Sequence, residues 1–274
     1  MLKLMIKKAN VTKKDNVVNF PTKINDLDKE IEAVIFAAAE PLDVDTIESK
    51  ISKNSNVKRF FYASSSSVYG IKVEPNVHED MELEPLTDYS IFKADCEKIL
   101  APYQSESFTT VTVRPATVCG YSTRQRLDVV VNILTNLAYH KREISVFGGK
   151  QYRPNIHIKD MVDAYIMLIE APKDKIAGEI FNVGFENQTV SELSETVKKV
   201  IGEDVKLITT PTNDNRSYHI SSEKIKNKLG FIASHSIEEA ASDLRKAFED
   251  GLLPNSFTDN KYFNIKVMNS IELK

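Results

Sequence analysis

The sequence has no tryptophan, only two cysteines and only nine glycines among 274 residues. Two cysteines, Cys96 and Cys119, cannot build a disulfide framework, and neither stands in a Cys-x-x-Cys or His/Cys cluster of metal-ligating spacing. The five histidines show no such spacing either, so no metal centre is expected. Charge of one sign is also missing. Lysine and arginine number 36 against 39 acidic residues, giving a net charge of -3, so no basic field draws the chain to nucleic acid. No apolar run approaches the roughly 20 residues that a membrane span needs. The first residues, MLKLMIKKANVTKK, carry five lysines and no acidic residue, yet they lack the arginine and serine of a transit peptide and read as a solvated terminus. A soluble protein of the reducing cytoplasm is expected. Nine glycines is few against a usual share of about 7%, and the first of them is Gly70.

What is present is an ordinary globular composition, 42% hydrophobic and 27% charged, long enough for one α/β domain with or without a smaller lobe. No internal repeat or Pro/Gly/Ser-rich linker divides it. Short β-branched or aromatic runs at residues 33–36 and 57–62 read as buried strands with a short helix over 42–53 between them, and residues 110–113 read as a third strand stopped by Pro115. Ile91, Ala94, Ile99 and Leu100 recur at helical spacing and predict a helix over residues 88–103, with Asp88 as its cap. Further helices are expected near 124–140, 159–171, 189–201, 222–229 and 236–250, with strands near 144–147, 179–183 and 205–208. This alternation argues for a parallel sheet covered by helices on both faces, whose ligand crevice lies beyond the carboxyl ends of its strands.

Two motifs sit at those ends. Tyr89 and Lys93 form a Tyr-x-x-x-Lys pair on one helix face. A lysine charge within about 4 to 6 Å of a phenol lowers its pKa from about 10 and lets it exchange a proton with a hydroxyl near neutral pH. Taken alone, the spacing equally describes a tyrosine packed on a lysine stem. The second motif, Ser64-Ser65-Ser66-Ser67-Val68-Tyr69-Gly70, follows a strand directly. It offers hydroxyls to a ligand or simply forms a serine turn bonded to its own backbone. His157 reads as a core histidine, Asp160 as the cap of the helix after it, and Cys96 as a small buried apolar residue.

Together these motifs resemble the extended short-chain dehydrogenase/reductase family, specifically its NAD-dependent nucleotide-sugar epimerase/dehydratase branch. The resemblance continues in family order through Arg114-Pro115-Ala116-Thr117-Val118-Cys119-Gly120, Arg153-Pro154-Asn155-Ile156-His157-Ile158-Lys159-Asp160, Phe181-Asn182-Val183-Gly184, Asp214-Asn215-Arg216 and Leu229-Gly230-Phe231. It implies an α/β fold with a Rossmann-like parallel sheet flanked by helices and a small C-terminal substrate-binding lobe. On this reading residues 1–150 form the Rossmann-like domain, N-terminally abbreviated, and residues 151–274 mainly the lobe, interleaved with the first and not folding independently.

The resemblance further implies that Tyr89 is the acid/base, that Lys93 tunes it and bonds the nicotinamide ribose, and that Ser65 holds the reacting hydroxyl, with Ser66 and Ser67 close enough to substitute. Ala38 and Ser64 match backbone positions lining NAD or NADP, and Pro115 and Thr117 lie where nicotinamide and substrate meet. Arg153 and Arg216 match positions that contact the nucleotide diphosphate, a task suited to the planar guanidinium fork. Arg126 and Asn132 lie where the family closes over the nucleotide. The implied activity is epimerisation of a nucleotide-diphosphate sugar in surface polysaccharide or sugar-precursor biosynthesis, with a homodimer as the implied assembly. Dehydration fits less well, because the acid/base pair of that branch is replaced by Ser66 and Ser67.

The chain departs from the family pattern at its start. Family members hold the pyrophosphate on the bare amides of a glycine-rich loop, and no glycine precedes Gly70 here. About 30 residues before the first clear strand are too few for the usual two strands and two helices, and residues 39–57 are shorter than usual, which trims a helix of the family dimer. A missing segment, a natural enzyme with a reduced cofactor site and a degenerate homologue that binds a nucleotide sugar without turning it over all fit these residues.

Overall fold

The computed structural model describes residues 33–36, 57–212 and 217–270. In chain order, strands β1 (Ala33–Phe36) and β2 (Arg59–Ala63) lead through a single 3-10 turn (Ser66–Tyr69) to helix α1 (Asp88–Leu100). Strands β3 (Thr109–Pro115) and β4 (Thr117–Cys119) follow, then α2 (Val130–Lys141), β5 (Glu143–Phe147) and β6 (Tyr152–His157). Helices α3 (Ile158–Glu170) and α4 (Lys173–Ile176) precede β7 (Ile180–Val183) and β8 (Glu186–Thr189). The chain continues through α5 (Val190–Ile201), β9 (Lys206–Thr210), α6 (Glu223–Leu229), α7 (Ile237–Glu249) and α8 (Asn264–Ser270). The helix expected over residues 42–53 lies outside the described residues.

Strands β1, β2, β3 and β7 pair in that order, every pair parallel. Consecutive apolar residues explain the interior strands. Phe60, Phe61 and Tyr62 are all buried, as a strand covered on both faces requires. Against this sheet packs a core in which Phe61, Val111, Val113 and Phe181 meet Ala164 and Leu168 of α3. The smaller lobe draws on both halves of the chain. Strand β5 pairs in parallel with β9, and Ile144 of β5 is covered by Val131, Leu134, Leu193, Val197 and Ala240 from α2, α5 and α7. Helices α5 and α7 start on capping boxes, Thr189 with Glu192 and Ser236 with Glu239.

A third sheet, β4-β6-β8, joins the two parts. Strand β8 escapes a reading of hydrophobic period because it is Glu186-Asn187-Gln188-Thr189, polar throughout, and it pairs antiparallel with β6. Two caps also differ from expectation. Helix α1 is capped by Thr87, whose backbone is extended and whose hydroxyl accepts the Ser90 amide, while Asp88 falls in the first turn. Helix α3 is capped by His157, whose Nδ1 accepts from the Lys159 amide at 3.1 Å. Asp160 instead clasps the incoming 234–235 loop, accepting from the Ser234 and His235 amides at 3.1 and 2.9 Å and pairing with His235 Nδ1 at 2.7 Å.

His157 is buried, and an imidazole that accepts a hydrogen bond at Nδ1 must stay neutral there. Burial, and then the charge of Lys159, push its pKa below the ordinary value against the pull of Asp243, whose Oδ2 lies 3.4 Å from Nε2. A histidine with a lowered folded pKa stabilises the fold above its unfolded value, about 6.5, and that stability drains away as the pH falls. His235 moves the other way, raised by its hydrogen bond to Asp160. Urea melts at pH 7 and pH 5 should therefore show a larger acid-side loss for the native protein than for His157→Asn, which keeps a capping acceptor that cannot take a proton.

Candidate active site

The site is built where β2 and β3 end and α1 begins. At the end of β2 the Ser64 amide donates to Val113 O (2.8 Å) and so stays in register with β3. Ser65 then leaves the strand in an extended conformation and caps the 3-10 turn, its Oγ accepting the Ser67 amide at 3.2 Å and lying 2.8 Å from Ser67 Oγ. The turn ends at Gly70, with φ +73°, where an added Cβ would come within 1.9 Å of Glu84 O. Only glycine fits this approach.

Helix α1 enters alongside. The Ser65 hydroxyl favours the ionised form of the Tyr89 phenol, and Lys93 Nζ lies 5.7 Å from the Tyr89 ring centroid and 5.2 Å from that of Tyr62. The Tyr89 residue is 55% exposed, so the cluster is open on one side. The balance of charge differs from the simple tyrosine–lysine expectation. Desolvation pushes the Tyr89 pKa above its ordinary value, outweighing the lowering by the Ser65 hydrogen bond and the Arg126 charge. Lys93 spends one donor on Ala63 O at 2.7 Å, and burial depresses its own pKa despite Cys96 and Glu97. In this state the phenol holds its proton.

Beneath the cluster runs a buried polar network that the motif pattern does not single out. Glu97 stands two turns beyond Tyr89 and one beyond Lys93, so a single stripe of α1 carries phenol, ammonium and carboxylate. Arg114 at the end of β3 grips Glu97 through Nε at 3.1 and 3.2 Å and through Nη2 at 2.7 Å. Its other arm donates to Tyr69 Oη (2.8 Å) and Glu79 O (3.0 Å). Tyr69 donates onward to Asn182 Oδ1 at 2.8 Å, and the Asn182 amide donates to Glu79 Oε1 at 2.7 Å. The Ser64 hydroxyl also donates to Glu97. Burial opposes the charge on Arg114, yet hydrogen bonding and attraction to Glu97 hold its pKa above the ordinary value. The serine motif, the helix and strands β3 and β7 are thus bolted together through side chains.

The structure brings Ser65, Tyr89 and Lys93 together, with Pro115 and Thr117 at the neighbouring ends of β3 and β4. Ser66 and Ser67 are buried in the turn. Ser64 points its hydroxyl inward to Glu97 rather than into the crevice, so any part it plays toward a cofactor is backbone only. Asn132 is buried beneath the 121–128 loop with both amide ends taken, Nδ2 donating to Arg126 O at 2.8 Å and Oδ1 accepting the Gly120 amide at 3.1 Å. It braces that loop instead of presenting a free amide to a nucleotide. Arg153 lies on β6 opposite Gln188, one of its donors on Tyr152 O at 3.0 Å. Ala38 and Arg216 lie outside the described residues. A cavity of about 410 Å³ on the outer face of α3, bordered by Ile166, Met167 and Leu229, shares no residue with this cluster. Among the described residues no group of three or more His, Cys, Asp or Glu side chains could hold a metal ion, and no helix is long and apolar enough to cross a membrane.

Residues 9–184 match the sequence model of the NAD dependent epimerase/dehydratase family. The UDP-glucose 4-epimerase of Lactobacillus helveticus is 24% identical over 243 residues, covering 76% of this chain and 74% of that protein. Human dTDP-D-glucose 4,6-dehydratase is 30% identical over 184 residues, covering 62% of this chain and 51% of that protein. Among solved structures, the UDP-glucose 4-epimerase of Thermotoga maritima with UDP-glucose superposes with a TM-score of 0.63 at 28% identity, covering 72% of this chain and 65% of that one. The chain therefore spans about half the length of the dehydratase and just under two thirds of the T. maritima epimerase.

Removing one partner of a buried ion pair leaves the other charged and desolvated. Glu97 and Arg114 side chains are 6% and 4% exposed, so Glu97→Ala should cost about 3–5 kcal/mol of unfolding free energy. Guanidinium melts monitored by circular dichroism will measure that loss.

Proposed function

Since the chain belongs to the NAD dependent epimerase/dehydratase family, we propose that it is an epimerase of a nucleotide-diphosphate sugar, with Tyr89 as the acid/base. The observation that carries this reading is the placing of Ser65 directly after β2 and of Lys93 Nζ 5.7 Å from the Tyr89 ring, at the carboxyl ends of parallel strands. That is where a doubly covered parallel sheet opens its ligand crevice.

The residues around Tyr89 fit the nicotinamide end of the cofactor. Lys93 keeps two ammonium donors beyond the one on Ala63 O, and Pro115 to Thr117 border the same strand ends. NAD, when bound, supplies the hydride acceptor and donor of this chemistry. Residues 1–69 hold no glycine, so within them groups other than a glycine-rich loop would have to hold the pyrophosphate end.

The protein's own part is proton movement and positioning. Ser65 holds a sugar hydroxyl against Tyr89, and the phenol exchanges a proton with that oxygen as the carbon changes oxidation state. Arg126 supplies positive charge that favours the phenolate against the desolvation that opposes it. Ser66 and Ser67, rather than carboxyl side chains, follow Ser65, which favours return of hydride to the same carbon over loss of water from a neighbouring one. Pro115, Thr117 and Arg153 then line the sugar and nucleotide side, with Arg216 of the same motif set.

The second reading is a nucleotide-sugar-binding homologue without turnover, and the lack of glycine before Gly70 is what favours it. Absorbance of the purified protein for bound NAD, with calorimetry for NAD and UDP-glucose, separates the two. Binding of UDP-glucose with no detectable affinity for NAD or NADP would sink the epimerase reading. Where NAD binds, Tyr89→Phe should lower kcat about 10²- to 10⁴-fold with UDP-glucose affinity unchanged, measured by coupled assay and calorimetry.

A further inference from the structure

The loop over residues 121–128 is held from outside the sheet by the C-terminal segment. Leu127 is fully buried in a cluster with Leu244, Ala247, Phe248, Leu253 and Tyr262. Its amide donates to Tyr262 O at 2.9 Å, and the Tyr262 hydroxyl in turn donates to Pro254 O at 3.1 Å. The next residue, Asp128, uses both carboxylate oxygens. Oδ2 accepts the backbone amide of Asn264 at 2.8 Å, and Oδ1 accepts from Arg126 Nε at 2.9 Å. From beneath, Gln125 Nε2 and Asn132 Nδ2 both donate to Arg126 O, at 2.9 and 2.8 Å. Arg126 is therefore fixed at its backbone and at the root of its guanidinium, while among the described residues its two terminal nitrogens take no hydrogen-bond partner. Its charge reaches the Tyr89 phenol, which it stabilises as phenolate.

A guanidinium pinned through Nε presents its other two nitrogens as a planar fork, the geometry that pairs with two oxygens of one phosphate. We infer that Asp128 is a positioning residue through which the C-terminal segment, residues 251–264, holds Arg126 in place to receive a diphosphate. The inference rests on the nucleotide-sugar reading only for the identity of the anion. A long cation held in its binding geometry loses less freedom when the anion arrives than one that must first be ordered. The affinity of Arg126 for a diphosphate thus depends on a backbone amide beyond α7.

Asn264 is the first residue of α8, where proline is well tolerated, and Phe263 before it is extended, as a residue preceding proline must be. Asn264→Pro thus deletes the one amide that bonds Asp128 while keeping the helix start, and Asn264→Ala keeps that amide and serves as its control. Calorimetry with UDP and with inorganic pyrophosphate should show Asn264→Pro and Asp128→Asn binding both about three- to tenfold more weakly than the native protein, the cost of re-ordering one long side chain. Asn264→Ala should bind normally, and thermal melts will confirm that each variant is folded. Native-like affinity in both Asn264→Pro and Asp128→Asn, or native binding of pyrophosphate no tighter than that of Arg126→Ala, would overturn the inference. Native protein that binds pyrophosphate in this Asp128-dependent way but neither UDP nor UDP-glucose would leave the clasp standing and remove the nucleotide-sugar function.

Discussion

The ion pair between Glu97 and Arg114 is the interaction on which the site depends. Each charge alone would be costly at such depth, and the pair persists because every arm has a partner: Glu97 takes Arg114 and the Ser64 hydroxyl, and Arg114 takes Tyr69 and Glu79 O. The geometric consequence matters more than any net energy. Glu97 shares its helix stripe with Tyr89 and Lys93, whereas Arg114 ends β3 and Tyr69 closes the serine turn. Locking these atoms together sets α1 against the strand ends and so sets the phenol against Ser65.

Above that lock, the cleft is tuned by desolvation rather than by one neighbour. The Tyr89 phenol is raised by enclosure and lowered by Ser65 and Arg126, while Lys93, itself depressed by burial, leans on a backbone carbonyl. Opposing influences of this kind leave a proton that small changes in solvation or nearby charge can move. The 121–128 loop supplies one of those charges, and its placement is decided by packing against residues 244–263.

Much of this was legible in the sequence. The β-branched and aromatic runs of β1, β2 and β3 and the apolar stripes of α5 and α7 announce themselves because burial of one face or both leaves a period in the chain. The Tyr89–Lys93 pair was readable from its spacing along a helix, a local quantity, whereas Ser65 was singled out by the family resemblance. Strand β8 was not, since a strand polar throughout leaves no period to read. The caps of α1 and α3 hinge on local backbone angles that neighbouring candidates such as Thr87 and Asp88 compete for.

Composition, helical period and motif order by themselves determined the α/β class, the parallel sheet and the Tyr89–Lys93 pair at its edge, because each follows from burial and spacing within a few turns or strands. Tertiary structure alone decided which ionisable groups meet. Glu97 with Arg114, Asp160 with His235 and Asp128 with Arg126 and the Asn264 amide are pairings whose strength depends on distance and dehydration. Two of these three join residues far apart in the chain, and the third gains its purpose only from a distant amide. Coulomb attraction and hydrogen bonding act through space, so their partners stay unspecified until the fold brings them within about 3 Å of one another.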